Sequence, residues 1–204
     1  MAFKKLPEEL IINLQNQGYT DFLPNQKKIF SKIKEGRNLV IEHPTHVGFS
    51  TLIALASVAK VPVPEEGSPR VIIICANDED ANAMHDRLKK LSFHMDLTID
   101  LAIERGNQIQ QRNDIFDGTE IVVGTTKRIY DLYIQNGINL NKIRLFAIDN
   151  GKETFVKNNP GYILRLADSL PKCQIILGTS EINKKITHFV DTIEHDISRY
   201  IIKA

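Results

Sequence analysis

The sequence predicts a single α/β domain whose mostly parallel sheet is covered by helices on both faces. The first observation is the run Val71–Cys75, which is entirely apolar and rich in β-branched residues. Such a run is typical of a strand buried on both faces of a parallel sheet. The second observation is that similar runs alternate with helix-like segments along the chain. The third is the length of 204 residues, which suits one large domain and is marginal for two.

Composition narrows the classes of protein to which the chain can belong. Hydrophobic residues make up 42% of the sequence and charged residues 25%, which is typical of a globular protein. The formal net charge of +1 gives no overall basic footprint, so a nucleic-acid contact would need a local patch. The sequence has no signal-peptide core and no run of about 18 apolar residues, so we expect no membrane association. Cys75 and Cys173 lie in or beside apolar runs and are expected to be reduced thiols of an intracellular protein.

Two helices are predicted before the first strand. Pro7 opens an amphipathic segment that stops at Gly18, and Pro24 opens a second one that stops at Gly36. A strand at residues 39–41 follows, and a glycine-containing loop then leads into the next helix.

Strands and helices alternate from there to the end of the sequence. The predicted strands are residues 71–75, 97–103, 121–123, 145–148 and 175–177. The predicted helices are residues 52–59, 81–91, 127–136, 162–170 and 182–193. Because the carboxyl ends of parallel strands meet at one edge of a sheet, we expect one functional rim there. It would be formed by the loops after Ile41, Cys75, Val123, Ile148 and Leu177.

The loop after the first strand, EHPTHVGFST at residues 42–51, has the frame of a phosphate-binding loop without its cation. Laid over the pattern G-x-x-x-x-G-K-[ST], it keeps the second glycine as Gly48 and the hydroxyl as Ser50. His43 replaces the first glycine and Phe49 replaces the lysine, and no other register restores the lysine. The alternative is an ordinary strand-to-helix turn that happens to carry a glycine.

Short polar segments stand at the end of each later strand. They are ANDEDA at 76–81, GTTKR at 124–128, DNGK at 149–152 and GTS at 178–180, preceded by LPEEL at 6–10 and GYTDFLPNQ at 18–26. In order, spacing and placement, these segments resemble the motifs of the first RecA-like domain of the DEAD-box RNA helicases. That family has P-T-R-E-L-A, x-T-P-G-R, D-E-A-D and S-A-T at the four later places, and a Q motif before the phosphate loop.

The resemblance implies a RecA-like fold for residues 1–204, with a Q-motif region at 1–36 and a sheet core at 37–204. Phe3 is the nearest candidate for the aromatic residue that the family places upstream of the Q motif. In the family, ATP and RNA are clamped between two such domains. The second RecA-like domain is absent from this sequence, so we expect the chain to be one part of a longer protein.

The resemblance also implies a nucleotide site with altered residues. Gln26 falls on the glutamine that reads adenine, and Gly48, Phe49, Ser50 and Thr51 stand on the phosphate loop. Phe49 cannot carry charge, and two arrangements of its ring remain open. Either the ring fills the place of the β-phosphate and closes the loop, or it turns into the core and leaves the N–H groups open. We expect the closed arrangement and an ATP affinity weaker than about 1 mM.

The segment that stands for D-E-A-D carries the second group of changes. In a working member, the first acid and the loop hydroxyl hold Mg²⁺, and the next acid orients the attacking water. Asp149 and Ser50 keep the Mg²⁺ contacts, whereas Asn150 cannot accept a proton, Gly151 is neutral and Lys152 reverses the charge of the final acid. Losing the lysine and the acid together removes several kcal/mol of transition-state stabilisation, at about 3 kcal/mol each. We therefore expect no catalytic residues and no ATP hydrolysis. The alternative to a Mg²⁺ contact at Asp149 is that this residue only caps a loop at the end of its strand.

The expected RNA face is altered as well. The acidic run 78–80 stands where the family has an arginine, although acids also suit the first turn of a helix. Residues 104–105, or at best the single Gly106, stand where the family has paired glycines. Thr125, Lys127 and Arg128 keep a phosphate-binding character at a helix N-terminus and are the predicted RNA contacts. The alternative is that this Lys-Arg pair is an ordinary surface feature.

Two histidines in the phosphate loop suggest a metal site as a further alternative. His43 and His46 are three residues apart, with Glu42 as the nearest further ligand. Structural metal sites normally need four ligands, so we expect no metal at this pair.

Two functions remain open at this point. The first is a degenerate helicase-like domain without ATPase activity, which binds protein partners as a scaffold in an RNA-related pathway. The second is a nucleotide-dependent RNA-binding or remodelling domain that keeps weak contact with ATP or RNA. The degenerate motifs also resemble the helicase-like domains of Tudor proteins of the piRNA pathway, an assignment that rests on analogy alone. We expect a cytoplasmic location, with RNA granules as one such place.

Overall fold

Seven parallel strands form one sheet in the order β3-β4-β2-β5-β6-β1-β7. The computed structural model describes residue 3 and residues 6–44, 47–193 and 197–202. The strands are β1 Asn38–Glu42, β2 Val71–Cys75, β3 Ile99–Ala102, β4 Ile121–Thr125, β5 Leu145–Ile148, β6 Gln174–Thr179 and β7 Ile197–Ile201. Every residue of β2, β4, β5 and β6 is buried, as the apolar runs predict for the centre of such a sheet.

Helices cover both faces of the sheet. The bounds are α1 Glu8–Asn16, α2 Pro24–Lys34, α3 Phe49–Lys60, α4 Asp78–Leu91, α5 Gln108–Asp117, α6 Thr126–Ile134, α7 Gly151–Lys157, α8 Pro160–Asp168 and α9 Lys184–Thr192. Helices α1 to α4 pack their apolar residues on one face, and α5 to α9 pack theirs on the other. The predicted α/β architecture with helices on both faces is therefore confirmed.

Asparagine side chains start four of the helices. Asn77, Asn107, Asn159 and Asn183 each occupy the N-cap, and the side-chain oxygen accepts hydrogen bonds from backbone N–H groups of the first turn. These bonds satisfy donors that have no partner within a helix. An asparagine in the sequence therefore marks the start of each of these four helices.

The five central strand predictions and the predicted helices are confirmed with small shifts in their ends. The strand expected at 97–103 is shorter and spans Ile99–Ala102. Three elements were not predicted: α5, α7 and the edge strand β7. Helix α5 was missed because its exposed Ile109 and Phe116 hide the periodic pattern of a buried face. Strand β7 was missed because it has polar residues in its centre.

All strands run parallel, so their carboxyl ends lie at one edge of the sheet. The loops after β1, β2, β4, β5 and β6 therefore meet there, as the sequence predicts. Cys75 and Cys173 are both free and buried. Among the described helices, none has the length and apolar character needed to cross a bilayer.

Candidate functional site

The loop between β1 and α3 lies at the centre of this rim. Gly48 is the N-cap of α3 and has a φ of 74°, a left-handed conformation that favours glycine. Gly48 has no side chain to cap the helix, and Leu52 is the first residue whose N–H bonds back to the carbonyl of Gly48. The N–H groups of residues 49–51 in the first turn therefore have no acceptor within the helix, as in a phosphate-binding loop.

The side chain of Phe49 points into the core. It is only 4% exposed and belongs to the apolar cluster between the sheet and α1 to α4. Its ring stacks on the imidazole of His43, with centroids 4.5 Å apart and planes 22° from parallel. The ring also lies against Gly178 at the end of β6. The expectation that the ring fills the place of the β-phosphate and closes the loop is therefore wrong, because the ring is turned into the core, where it packs against His43 and Gly178.

Phe49 and Gly178 fit each other because Gly178 has no side chain. A Cβ atom built on Gly178 would approach three ring carbons of Phe49, with Cζ at 2.8 Å and the other two closer. Gly178 stands where the related motif S-A-T has serine, and Phe49 stands where the phosphate loop has lysine. The two departures from the family pattern are therefore in direct contact, which the sequence could not show.

His43 is the loop side chain that covers the Phe49 ring. Its Nδ1 is 2.8 Å from the carbonyl oxygen of Pro44. Its Nε2 is buried and has no hydrogen-bond partner in the described structure. His46, the second histidine of the metal alternative, lies outside the described residues. Within the described ranges, no three His, Cys, Asp or Glu side chains form a group that could hold a metal ion.

Gln26 ties the start of α2 to the phosphate loop. Its Oε1 accepts a hydrogen bond of 3.1 Å from the N–H of Leu23, and its Nε2 donates to the carbonyl oxygens of Val47 and Gly48 at 3.3 and 3.4 Å. Both the oxygen and the nitrogen of the Gln26 side-chain amide are therefore engaged in hydrogen bonds within the protein. Beside it lies a cavity of about 310 Å³, and Phe3 is in the wall of this cavity.

The wall of this cavity is mostly apolar and aromatic. Phe3 is 6% exposed and packs edge-on against Phe22, with ring centroids 4.9 Å apart. Tyr19 also lines the cavity and is 40% exposed. The remaining lining residues are Leu14, Asp21, Leu23, Gln26, Val47, Gly48, Thr51, Leu52 and Leu55. The cavity thus has the size and lining of a site for a flat apolar group next to the phosphate loop.

Asp149 and Ser50, the predicted Mg²⁺ contacts, are joined by a side-chain hydrogen bond. The Ser50 hydroxyl donates a hydrogen bond to the Asp149 carboxylate, which also accepts the N–H of Asn150 at 3.0 Å. Burial raises the pKa of Asp149, and these two hydrogen bonds oppose that rise. The pair presents a carboxylate and a hydroxyl that fit Mg²⁺, but Phe49 adds no cation beside them.

The residues after Asp149 contact the segment that stands for S-A-T. Asn150 has a φ of 50°, and α7 begins at Gly151 directly after it. The N–H of Lys152 donates to the Thr179 hydroxyl at 3.0 Å, and its ammonium pairs with Glu181 at 2.7 Å. The charge reversal at Lys152 is therefore matched by an acid two residues beyond Thr179, and the two segments remain linked.

Asp78, which replaces an arginine of the family pattern, binds a loop of its own chain. It is 7% exposed, and its carboxylate oxygens accept the N–H groups of Glu104 and Arg105 at 3.1 and 3.0 Å. Two successive N–H groups that point to one place form a site for an anion. Here the anion is an internal carboxylate. The run 78–80 does form the first turn of α4, but Asp78 is buried rather than solvated.

The three predicted RNA contacts differ in their exposure. Thr125 and Arg128 are 2% and 8% exposed, whereas Lys127 is on the surface and pairs with Asp131 at 2.7 Å. The guanidinium of Arg128 donates to the carbonyl oxygens of Glu104 and Gly106 at 2.9 and 3.4 Å. Arg128 and Asp78 therefore bind the backbone of the same loop, Arg128 through its carbonyls and Asp78 through its N–H groups.

Buried polar atoms without partners lie on this side of the rim. Within the described part of the chain they include the hydroxyls of Thr125 and Thr126 and the Nη1 of Arg128. Sequence reasoning named Thr125 and Arg128 but missed the contact of Asp78 with residues 104–105. The one signal in the sequence was that Asp78 and residues 104–105 both depart from the family pattern, which has an arginine at the first place and paired glycines at the second.

Comparisons with known proteins place this geometry among known folds. A family model described as DEAD/DEAH box helicase matches residues 23–189. ATP-dependent RNA helicase eIF4A of Eremothecium gossypii is 21% identical over 200 residues, which cover 98% of this chain and 50% of that protein. ATP-dependent RNA helicase DDX50 of Homo sapiens is 30% identical over 157 residues, which cover 72% of this chain and 21% of that protein. The chain thus spans half or less of these relatives.

Solved structures show the same fold. The crystal structure of a DEAD box protein from Methanococcus jannaschii matches with a TM-score of 0.89 at 20% identity, over 98% of this chain and 55% of that one. Dbp5 of S. cerevisiae, bound to Nup159, Gle1, IP6 and ADP, matches with a TM-score of 0.84 at 18% identity, over 98% of this chain and 53% of that one.

Proposed function

The chain belongs to the DEAD/DEAH box helicase family, and from that premise we propose that it is a degenerate RNA-helicase domain without ATPase activity. In this proposal it works as a protein-binding or scaffold module in an RNA-related pathway. The observation that carries the proposal is the burial of Phe49 against His43 and Gly178, at the position where the family presents a cation to phosphate.

Loss of the cation removes the group that stabilises charge during phosphoryl transfer. The transferred phosphate carries its negative charge on oxygens that the loop lysine and Mg²⁺ must stabilise. An uncharged ring that is 4% exposed cannot contribute there. Asn150 adds to the loss, because an amide cannot accept the proton of the attacking water. Each of these groups is worth roughly 3 kcal/mol in a working site.

The RNA side supports the same proposal. Asp78 fills the anion site formed by the N–H groups of Glu104 and Arg105 with its own carboxylate. Arg128 uses its guanidinium on backbone carbonyls rather than offering it to solvent. Lys127 alone among the predicted contacts is exposed, and its charge is paired with Asp131. A domain without these phosphate contacts would depend on protein partners, and Nup159 and Gle1 are bound to the related Dbp5.

A measurement of ATP turnover tests the proposal. The expected result is no phosphate release above background by the protein, with or without single-stranded RNA. Restoring Phe49→Lys and Asn150→Glu together in the full-length protein should not restore turnover, because Gly178 and Lys152 also differ from the family pattern. RNA-stimulated phosphate release by the unaltered full-length protein would contradict the loss of ATPase activity.

The alternative function is a nucleotide-dependent RNA-binding or remodelling domain. The observation that favours it is the cavity of about 310 Å³ beside Gln26, next to the uncapped first turn of α3. Titration calorimetry with ATP and Mg²⁺ distinguishes the two functions. The main proposal gives an affinity weaker than about 1 mM, or less than about 4 kcal/mol of binding. Micromolar binding that is lost in Gln26→Ala would establish the alternative.

A further inference from the structure

Strand β7 leaves one edge of the sheet without a neighbouring strand in the described structure. It pairs with β1 alone, in parallel register from Asn38 opposite Ile197 to Glu42 opposite Ile201. The N–H of Ile202 donates to the carbonyl of Glu42 at 2.8 Å. In a parallel pair, alternate residues face the neighbouring strand, so the N–H and C=O groups of Arg199 and Ile201 point outward. An outward row of this kind can pair with another chain.

A groove runs between this edge and helix α2. It has a volume of about 180 Å³ and lies beside Leu39 and Ile41 of β1, which are fully buried. Tyr200 and Ile202 of the edge strand are half-buried in its wall, and the side chain of Ile201 is 68% exposed. An extended peptide added to β7 would therefore place alternate side chains beside an apolar groove.

Helix α2 places positive charge along the same groove. Lys28 is exposed and has no ion-pair partner among residues 6–44, 47–193 and 197–202. Lys28 and Lys32 line the groove itself, and Lys32 pairs with Glu35 at 3.2 Å. The whole sequence has a formal net charge of only +1, so this concentration of cations is local.

We propose that the edge of β7 and the lysines of α2 bind an extended acidic segment of a protein partner as an added strand. The inference rests on the proposed protein-binding function and names the surface that performs it. The exposed backbone groups supply pairing that is independent of sequence, and Lys28 and Lys32 select for acidic side chains. A second copy of this chain is disfavoured, because β7, with the sequence ISRYI, has no acidic side chain to offer to the groove lysines of the other copy.

A labelled peptide of nine residues with alternating glutamate and valine is the probe. Its binding is followed by fluorescence anisotropy up to 1 mM, beside a peptide in which lysine replaces glutamate. The glutamate peptide should bind and the lysine peptide should not. Lys28→Glu with Lys32→Glu should weaken binding about tenfold, because two modest attractions are lost together and replaced by repulsion. The matched control is Lys89→Glu with Lys90→Glu on α4, which are exposed and should leave binding unchanged.

The contribution of the edge is tested separately from the charge. Ile201→Pro removes an outward N–H without taking a hydrogen bond from the ladder with β1, so it should weaken binding while the fold is kept. Amide exchange measured by NMR should slow at Arg199 and Ile201 when the glutamate peptide is added. The amide of Ser198 faces β1 and should not change.

Several outcomes would overturn the inference. They are equal binding of the lysine peptide, full binding by the Lys28 and Lys32 variant, or no slowing of exchange at Arg199 and Ile201. Binding of only a ten-nucleotide oligouridine at this edge, or a dimer that Ile201→Pro dissociates, would replace the acidic peptide with a different occupant. Absence of peptide binding at 1 mM refutes this surface and leaves the proposed loss of ATPase activity to its own assay.

Discussion

Substitution of Gly178 by alanine should destabilise the protein through one contact. The added Cβ would lie at 2.8 Å from Cζ of Phe49 and closer to two further ring carbons. These atoms belong to a rigid ring that is 4% exposed and stacked on His43, so the ring cannot swing into solvent. Either the ring or the end of β6 must move. Since Gly178 pairs with Ile41 in the centre of the sheet, movement of the strand would disturb its ladder.

The size of the effect follows from overpacking in a close-packed core. An extra methyl group in such a place costs roughly 1–3 kcal/mol. Replacing glycine inside a strand recovers about 0.5–1 kcal/mol of backbone entropy, so the net loss is smaller than the packing cost alone. For a protein of this size, each kcal/mol lowers Tm by roughly 2–4 °C. Because the added Cβ would overlap three ring atoms, the packing cost lies in the upper part of that range and the net loss is about 1–2 kcal/mol, so we expect Gly178→Ala to lower Tm by about 2–8 °C.

A double-mutant cycle isolates the contact. Phe49→Ala alone should cost roughly 3–5 kcal/mol, because it leaves a cavity in the core. In that background Gly178→Ala has room for its methyl group and should be neutral or stabilising. The expected coupling is about 1–3 kcal/mol, measured by urea denaturation with circular dichroism. Gly161→Ala is the control, since its Cβ would meet only the Asn159 side chain, at 3.2 Å or more.

Two results would refute this reasoning. The first is a Gly178→Ala protein as stable as the unaltered one. The second is additivity, in which Gly178→Ala costs the same whether or not Phe49 is present. Either result would mean that the ring does not lie against the end of β6, and the proposed burial of the loop residue would lose its support.

Three further predictions concern the rim. Asp78→Ala should destabilise the protein by about 1–3 kcal/mol, because the N–H groups of Glu104 and Arg105 lose their buried acceptor; urea denaturation measures the loss. Asp149→Asn should stabilise the protein at pH 7, with a gain that shrinks as the pH falls, since burial raises the folded-state pKa of Asp149 above its ordinary value of 3.8. The stability of the unaltered protein then falls as the pH rises from about 3.8 through the raised pKa, because the unfolded chain releases its proton first. Lys127→Ala should change stability little, because its pair with Asp131 is exposed.

Each of these has an outcome that contradicts it. Unchanged hydrogen exchange at residues 104–105 in Asp78→Ala would mean that the carboxylate does not hold the loop. A loss of stability in Asp149→Asn at pH 7 would mean that the charged form is favoured in the fold. A loss in Lys127→Ala as large as that in Asp78→Ala would show that the exposed pair is more than a surface contact.

The central sheet could be predicted from the sequence because its strands are buried on both faces. Every residue of Val71–Cys75 is apolar, and burial on both sides leaves no position for a polar residue. Strand β7 lies at the edge, where solvent permits Ser198 and Arg199, and its pattern is therefore that of a loop. An edge strand has a neighbouring strand on one side only, so it needs fewer apolar residues and is harder to recognise from its composition.

The candidate site was only partly predictable. The sequence indicates that Phe49 and Asn150 replace a cation and an acid, since that follows from residue types at known positions of a motif. It does not indicate that Phe49 contacts Gly178 or that Asp78 binds residues 104–105, because these are tertiary contacts between segments far apart in the chain. The direction of the Phe49 ring was likewise open, since a loop residue can turn either way until its neighbours are known.

Asp78 can be regarded as a tethered competitor for its own loop. A carboxylate held by the fold against two N–H groups acts at a high effective concentration, so a phosphate in solution has to displace it rather than simply bind. Displacement would also expose the carboxylate of Asp78, a residue that is only 7% exposed in the fold. Occupancy by an external anion is thereby coupled to movement at the start of α4. Inhibitors or partners that reach this loop would therefore compete with the protein itself.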